Sequence, residues 1–166
     1  MGKQAVVAPS LEIDLAEQTL WLFPGGDESP LQYPISSALH GPGERQDSGC
    51  TPRGQHFIRA CIGAGEPENA VFRGRRPTGE IYSPALAAQY PDRDWILSRI
   101  LWLCGREWGR NRGPGVDSFR RFIYIHGTPD SEPMGIPRSH GCVRMRNADV
   151  IDLFARVGPG TPVLIR

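Results

Sequence analysis

The stretch from 122 to 146 constrains the fold of this chain more than any other. It opens with F-I-Y-I at 122–125, a short run of aromatic and β-branched residues that predicts a buried strand delivering His126 at its end. A loop rich in Gly and Pro separates this strand from S-H-G-C at 139–142. Asn147 then opens an amphipathic segment, and the sequence predicts a helix with Asn147 as its N-cap.

Nucleophilic catalysis is the chemistry that this arrangement permits. A thiol becomes a strong nucleophile when a nearby imidazole or a cluster of main-chain N–H groups favours its ionised form. We predict that Cys142 is the nucleophile, ionised beside the imidazole of His126, which acts as its base. Gly141 leaves room for a substrate carbonyl, and the main-chain N–H groups of His140, Gly141 and Cys142 are candidate oxyanion donors.

Two other interpretations of the same residues stay open. A cysteine is often a small buried hydrophobic residue, and Cys142 could be one. His126, His140 and Cys142 could also bind zinc, although the chain has no C-x-x-C or H-x-x-x-H pair to support a metal site. His40 and His56 stand outside this cluster, and we expect them to be surface or packing residues.

The motif I-H-G-T followed by S-H-G-C-V-R-M resembles the signature of the L,D-transpeptidase catalytic domain, the YkuD fold. The resemblance extends to T-P-R-G at 51–54, to a first hairpin near the N-terminus and to G-T-P-V-L-I as a last strand. It implies a mostly β protein, β-sandwich-like with mixed sheets, and one helix after the catalytic cysteine.

The resemblance also implies roles for individual residues. His126 matches the family's base, which a main-chain carbonyl orients, and Gly127 stands at the matching position. His140 has a supporting catalytic role in this pattern, and it is the alternative to His126 as the base. The residues that we place on the substrate side are Ser139, Gly127 and Arg144, where Ser139 would hydrogen-bond locally and Arg144 would hold a substrate carboxylate.

Strand patterns recur along the rest of the chain. The apolar and β-branched runs predict strands at 11–15, 19–23, 31–37, 55–61 and 95–103. A short helix is the alternative at 95–103, and a proline places the strand at 31–37 at an edge or bulge. Neither a repeat nor a linker interrupts the sequence, so we predict one domain over 1–166 with a core of about 10–166.

Composition bears on the partners and the compartment. The net charge of +1 and the lack of a basic stripe argue against nucleic-acid binding. No apolar run is long enough for a secretory signal or a membrane span. Cys50, Cys61, Cys104 and Cys142 are widely scattered, as expected of reduced thiols. We therefore expect a cytoplasmic protein, or a periplasmic one if a leader has been removed.

The resemblance implies a peptidoglycan stem peptide or muropeptide as the substrate and no cofactor. We expect an L,D-carboxypeptidase that releases D-Ala from stem tetrapeptides during murein recycling. The alternative is a transpeptidase that forms 3→3 cross-links, and a non-catalytic cell-wall binding module is a third reading. The segment at 63–79, rich in Gly, Pro and Arg, is either a solvated loop or a flap whose cations meet an acidic ligand.

Overall fold

The computed structural model describes residues 7–166 and shows a mostly β protein, as predicted. Ten strands form one mixed sheet, and two helices accompany it. The strands are β1 (Ser10–Asp14), β2 (Thr19–Phe23), β3 (Leu31–Pro34), β4 (Gly54–Ile62), β5 (Ala70–Arg73), β6 (Arg76–Ile81), β7 (Ile96–Gly105), β8 (Tyr124–Thr128), β9 (Val143–Arg146) and β10 (Pro162–Ile165). The helices are α1 (Pro84–Gln89) and α2 (Asn147–Arg156).

The sheet brings the first and last strands together. Its order is β3-β2-β1-β10-β4-β7-β5-β6, and β8 and β9 extend it from β7. β10 lies between β1, to which it is parallel, and β4, to which it is antiparallel. The second parallel pair, β8 with β9, is the one that positions the candidate site.

The strands predicted from hydrophobic pattern are confirmed at β1, β2, β4 and β7. The apolar run at 96–105 is a core strand, so the alternative of a short helix is wrong there. β3 ends at Pro34, three residues earlier than predicted, and it lies at the edge of the sheet because proline has no N–H to donate to a further strand.

Four features differ from the sequence prediction. Most of the loop predicted at 63–79 is the hairpin of β5 and β6, and α1 lies in a stretch for which no helix was predicted. β8 begins at Tyr124, because Phe122 takes a left-handed backbone with φ +57° and its side chain is half exposed. The N-cap of α2 is Arg146, and Asn147 is instead a fully buried residue in the first turn.

Strand alternation sorts the apolar side chains into separate clusters. Leu101, Leu103 and Ile125 belong to the main core, onto which Val150 and Leu153 of α2 pack. Their neighbours on β7 and β8, Ile100 and Tyr124, face the other way and form a second cluster with Ala70 and Phe72 of β5, against which Trp102 and Cys142 pack. Because successive side chains of a strand point to opposite faces, Cys142 lies away from the main core.

Within residues 7–166, neither helix is long and apolar enough to cross a membrane.

His56 is a packing residue, as expected, but it is completely buried. Its Nε2 lies 2.8 Å from Ser118 Oγ and its Nδ1 lies 3.0 Å from the carbonyl oxygen of Gly54. Burial lowers the pKa of His56 to about 4, so the folded protein holds the neutral ring at pH values where the unfolded chain binds a proton.

We therefore expect acid to destabilise the fold through His56. Between about pH 6.5 and pH 4 the unfolded state binds the extra proton, and the free energy of unfolding should fall by about 3 kcal/mol on account of this residue. Urea unfolding of the wild type and of His56→Gln across this range measures the difference. Parallel pH profiles for the two proteins would contradict the assignment.

Candidate active site

The parallel pairing of β8 with β9 brings the predicted base and nucleophile to one surface. Ile125 pairs with Val143 and His126 pairs with Arg144, so Cys142, directly before β9, lies beside Tyr124. Side chains at alternate positions share a face. The imidazole of His126 and the thiol of Cys142 therefore project from the same face of the strand pair.

The Cys142 thiol makes two hydrogen bonds to main-chain groups at the start of β8. It donates to the carbonyl oxygen of Phe122 at 3.2 Å and accepts from the N–H of Tyr124 at 3.3 Å. The side chain is only partly exposed. These bonds fix the sulfur at the point where the chain enters β8.

His126 is held by the residue that follows it. Its Nδ1 lies 2.6 Å from the carbonyl oxygen of Gly127, so Nδ1 carries the proton and Nε2 is left as the acceptor. Burial lowers the pKa of His126, although the Gly127 carbonyl and the charge of Asp94 oppose this effect. The ring is therefore neutral near pH 7 and can accept a proton.

The thiol is also neutral at rest. Burial raises the pKa of Cys142 to about 12, and the Tyr124 N–H together with Arg144 and Arg121 offsets only part of that effect. Burial therefore disfavours the ionised Cys142 that the sequence predicts beside His126, and that ionised pair stays a prediction. The site pairs a neutral thiol with a neutral imidazole, which makes proton transfer part of the attack rather than a step completed before it.

Side chains brace the turn at 139–142 from two directions. Ser139 Oγ donates to the Cys142 carbonyl at 2.5 Å and accepts from the Gly141 N–H at 3.2 Å. Thr51 Oγ1 donates to the Gly141 carbonyl at 2.9 Å and accepts from the Ala38 N–H at 3.0 Å. Thr51 thus gives the T-P-R-G motif a physical part in the site. Since Ser139 is buried within the turn, a substrate contact for it stays a prediction.

Gly141 takes a backbone that other residues rarely adopt. Its φ is +133°, and a Cβ there would approach the Cys50 carbonyl oxygen to 3.3 Å. Because its N–H already donates to Ser139, the predicted oxyanion donation from Gly141 requires that bond to open. The main-chain N–H groups of His140 and Cys142 are the other two donors proposed for this turn.

Beside the turn lies a charged cleft of about 220 Å³ whose lining includes Asp94, Glu132, His140 and Arg144. Arg144 is buried and already paired, at 3.2 Å from Asp94 and 4.0 Å from Glu132. His140 is 78% exposed, with Nδ1 3.7 Å from Asp94. A substrate carboxylate would thus have to compete with Asp94 for Arg144, and that predicted contact stays a prediction.

The β5–β6 hairpin places a cation beside the nucleophile. Arg75, in its turn with φ +63°, lies 4.7 Å from the Trp102 ring centre and 4.8 Å from that of Phe122. It also donates to the hydroxyl of Tyr124 at 3.1 Å. Tyr124 and Phe122 are the residues whose main chain binds the Cys142 thiol, so the hairpin touches the site directly.

Within the described part of the chain, no three His, Cys, Asp or Glu side chains are grouped so that they could hold a metal ion. Of the three residues weighed as zinc ligands, His140 turns to Asp94, whereas the Nδ1 of His126 and the thiol of Cys142 bind main-chain groups.

Sequence reasoning missed several contributors to the site. Asp94, which pairs with Arg144, lies just before β7 in a stretch for which the sequence predicted no element, and no local pattern distinguished it. Arg75 was one arginine among several in the predicted flap. The sequence did contain a signal for Asn147, because a polar residue next to a catalytic motif can contact the site instead of capping a helix.

Comparison with known proteins decides the family. The sequence matches the family model for the YkuD L,D-transpeptidase catalytic domain over residues 8–165. This chain belongs to that family. The resemblance seen in its motifs is thereby confirmed.

Two curated L,D-transpeptidases share shorter stretches with it. The putative L,D-transpeptidase YqjB of Bacillus subtilis is 41% identical over 61 residues, which is 37% of this chain and 34% of that protein. The probable L,D-transpeptidase YbiS of Escherichia coli K12 is 49% identical over 43 residues, or 26% of this chain and 14% of that protein. The matched stretches therefore span about a third or less of these relatives.

Solved structures agree on the fold. The L,D-transpeptidase from Mycobacterium smegmatis superposes with a TM-score of 0.53 at 19% identity, covering 95% of this chain and 58% of that one. L,D-transpeptidase 3 from Mycobacterium tuberculosis, solved with a faropenem-derived adduct, gives a TM-score of 0.56 at 15% identity, covering 96% of this chain and 60% of that one.

The protonated thiol gives a test by alkylation. We expect the rate at which iodoacetamide modifies Cys142 to keep rising with pH well beyond 9, because burial raises the thiol pKa to about 12. Mass spectrometry of the Cys142 peptide after timed alkylation, beside a small free thiol as control, measures this profile. A plateau of fast alkylation at neutral pH would instead indicate a thiolate–imidazolium pair at rest.

Proposed function

We propose that this L,D-transpeptidase-family domain is an L,D-carboxypeptidase acting on peptidoglycan stem tetrapeptides. The observation that carries the proposal is the placement of Cys142 and His126 on one face of the β8–β9 pair, with Nδ1 of His126 bound to the Gly127 carbonyl. The bond cleaved joins a diamino acid of L configuration at the reacting centre to the terminal D-Ala. The proposed substrate follows from family membership.

The reaction proceeds in two halves. The Cys142 sulfur attacks the carbonyl carbon while Nε2 of His126 takes the thiol proton, and the imidazolium then protonates the departing amine of D-Ala. This leaves a thioester on Cys142. Water, deprotonated by the same imidazole, attacks the thioester, and the thiol re-forms as the tripeptide leaves.

Main-chain donors stabilise the charge that develops on the carbonyl oxygen. The N–H groups of His140 and Cys142 are two of these donors. The N–H of Gly141 can be a third only when its hydrogen bond to Ser139 breaks. Loss of one such donor typically costs about 3 kcal/mol of barrier. The turn that Ser139 and Thr51 brace is thus part of the catalytic apparatus.

Water as the acyl acceptor makes the smaller spatial demand on the site. A cross-linking enzyme has to bind a second stem peptide beside the thioester, whereas water needs no such binding site. The proposed compartment is the cytoplasm, where released muropeptides are trimmed, with the periplasm as the alternative.

The second candidate is a transpeptidase that forms 3→3 cross-links. The names of the relatives, all L,D-transpeptidases, favour it. Its first half-reaction is the same, and the two candidates differ only in whether an amine or water takes the acyl group.

Incubation with a stem tetrapeptide, with and without an acceptor stem, separates the candidates by product mass. We expect free tripeptide in both mixtures, and none from Cys142→Ala, while Cys61→Ala stays active because Cys61 lies elsewhere on β4. Dimers as the sole product would favour the transpeptidase. Binding without turnover would favour a non-catalytic cell-wall module.

Arg75 is the hairpin cation that we expect to meet a substrate carboxylate. Its guanidinium lies over Trp102 and bonds to Tyr124, so it can reach a ligand at Cys142. In Arg75→Gln the KM for tetrapeptide should rise about 10-fold with a smaller change in kcat, the size of one lost charge-assisted hydrogen bond.

Arg76→Gln is the matched control for this experiment, because Arg76 is exposed in the same hairpin. It should leave KM unchanged. Equal effects of the two substitutions on KM would mean that the overall charge of the hairpin, and not the position of Arg75 over the aromatic rings, governs substrate binding.

A further inference from the structure

We propose that Asn147 is a positioning residue for the catalytic base, because its carboxamide lies against Gly127 and bonds to the Thr128 carbonyl, on either side of the peptide unit whose carbonyl holds Nδ1 of His126. This inference rests on the proposed function in one respect only, the assignment of His126 as the base. Asn147 itself does not contact the thiol or the imidazole through any of its hydrogen bonds.

The Asn147 side chain is fully buried and all of its polar atoms are bonded. Nδ2 donates to the carbonyl oxygen of Thr128 at 2.9 Å, and also lies 3.0 Å from Asn69 Oδ1 and 3.2 Å from Asp130 Oδ1. Oδ1 accepts from Ser98 Oγ at 2.6 Å. A helix N-cap would need none of these contacts, so the sequence position alone does not explain them.

Gly127 fits tightly between Asn147 and β7. A Cβ on Gly127 would lie 2.5 Å from Asn147 Oδ1 and 2.5 Å from the carbonyl oxygen of Leu97. One end of the carboxamide therefore lies close to Gly127, where only the lack of a side chain leaves room for it, and the other end binds the carbonyl of Thr128. The peptide unit between Gly127 and Thr128, which contains the Gly127 carbonyl, lies between these two contacts.

The network that holds Asn147 is built from strained backbone. Ser98, with φ +68°, lies in β7 where the pairing with β8 shifts register, and Asn69 has φ +67°. Ser98 Oγ both donates to Asn147 and accepts from the Asn69 N–H at 3.0 Å. Non-glycine residues keep such conformations only where their surroundings impose them, and they concentrate at functional sites.

The position of the Gly127 carbonyl affects catalysis because it determines the tautomer of the His126 imidazole. With the Gly127 carbonyl 2.6 Å from Nδ1, the proton stays on Nδ1 and the Nε2 lone pair faces the reaction. If the carbonyl turns away, the ring is free to rotate and to place its proton on either nitrogen. An aspartate at position 147 could not hold this backbone in place, because its carboxylate has no N–H to donate to the Thr128 carbonyl.

Two variants test the proposal from different sides. Asn147→Ala removes the carboxamide. Ser98→Gly removes the hydroxyl that holds the carboxamide and also relieves the left-handed backbone at position 98. The second protein should therefore fold without difficulty even if the first is destabilised.

The first readout is the tautomer of His126, taken from two-bond ¹⁵N–¹H correlations of its ring, with His126→Gln to assign the signals. We expect a single Nδ1–H tautomer in the wild type and a mixture of tautomers in both variants. In turnover, kcat should fall about 100-fold in Asn147→Ala while KM changes little, as for displacement of a catalytic group by about 1 Å.

Asn111→Ala is the matched control. Asn111 is equally buried and also bridges main-chain groups, those of Arg53, Gln55 and Glu107, but none of its bonds reaches the catalytic turn. It should lower stability without altering the His126 tautomer or kcat.

A single Nδ1–H tautomer with wild-type kcat in folded Asn147→Ala and Ser98→Gly would overturn the proposal, and so would the same tautomer mixture in Asn111→Ala. The tautomer is read without any substrate. A wild type that fails to cleave tetrapeptide would therefore count against the proposed function and leave the result on Asn147 intact.

Discussion

The parallel pairing of β8 with β9 is the contact on which the whole site depends. Parallel neighbours cannot be joined by a tight turn, so a connection of about a dozen residues or more must carry the chain back to the start of the second strand. That requirement explains why His126 and Cys142 are separated by a long Gly- and Pro-rich loop yet end on one face. The same pairing positions Arg144 beside His126.

Burial gives this pair its chemical character. Burial raises the pKa of the thiol and lowers that of the imidazole, and both shifts favour the uncharged form at rest. Charge appears only when the substrate is attacked. Main-chain groups orient both partners, through Phe122 and Tyr124 for the sulfur and through Gly127 for the ring. The geometry is therefore fixed by the backbone rather than by a third charged side chain.

Local patterns in the sequence predicted much of the fold and the centre of the site. Alternation revealed β1 and β2, apolar runs revealed β7, and the motifs located His126 and Cys142. The β5–β6 hairpin escaped because β5 has only three apolar residues and β6 is mostly polar, and Arg75 is held by distant aromatic rings. Asn147 was read as a cap because its partners, Ser98 and Asn69, are distant in sequence. Contacts between residues so distant in sequence produce no periodic pattern from which they could be predicted.

The placement of β10 between β1 and β4 has a consequence for synthesis on the ribosome. The two edges that β10 joins stay open until residues 162–165 have been synthesised, because β10 is the parallel neighbour of β1 and one of the two antiparallel neighbours of β4. Contacts between segments so distant along the chain form slowly. The nascent protein therefore passes through a stage in which β1 and β4 each have one unpaired edge.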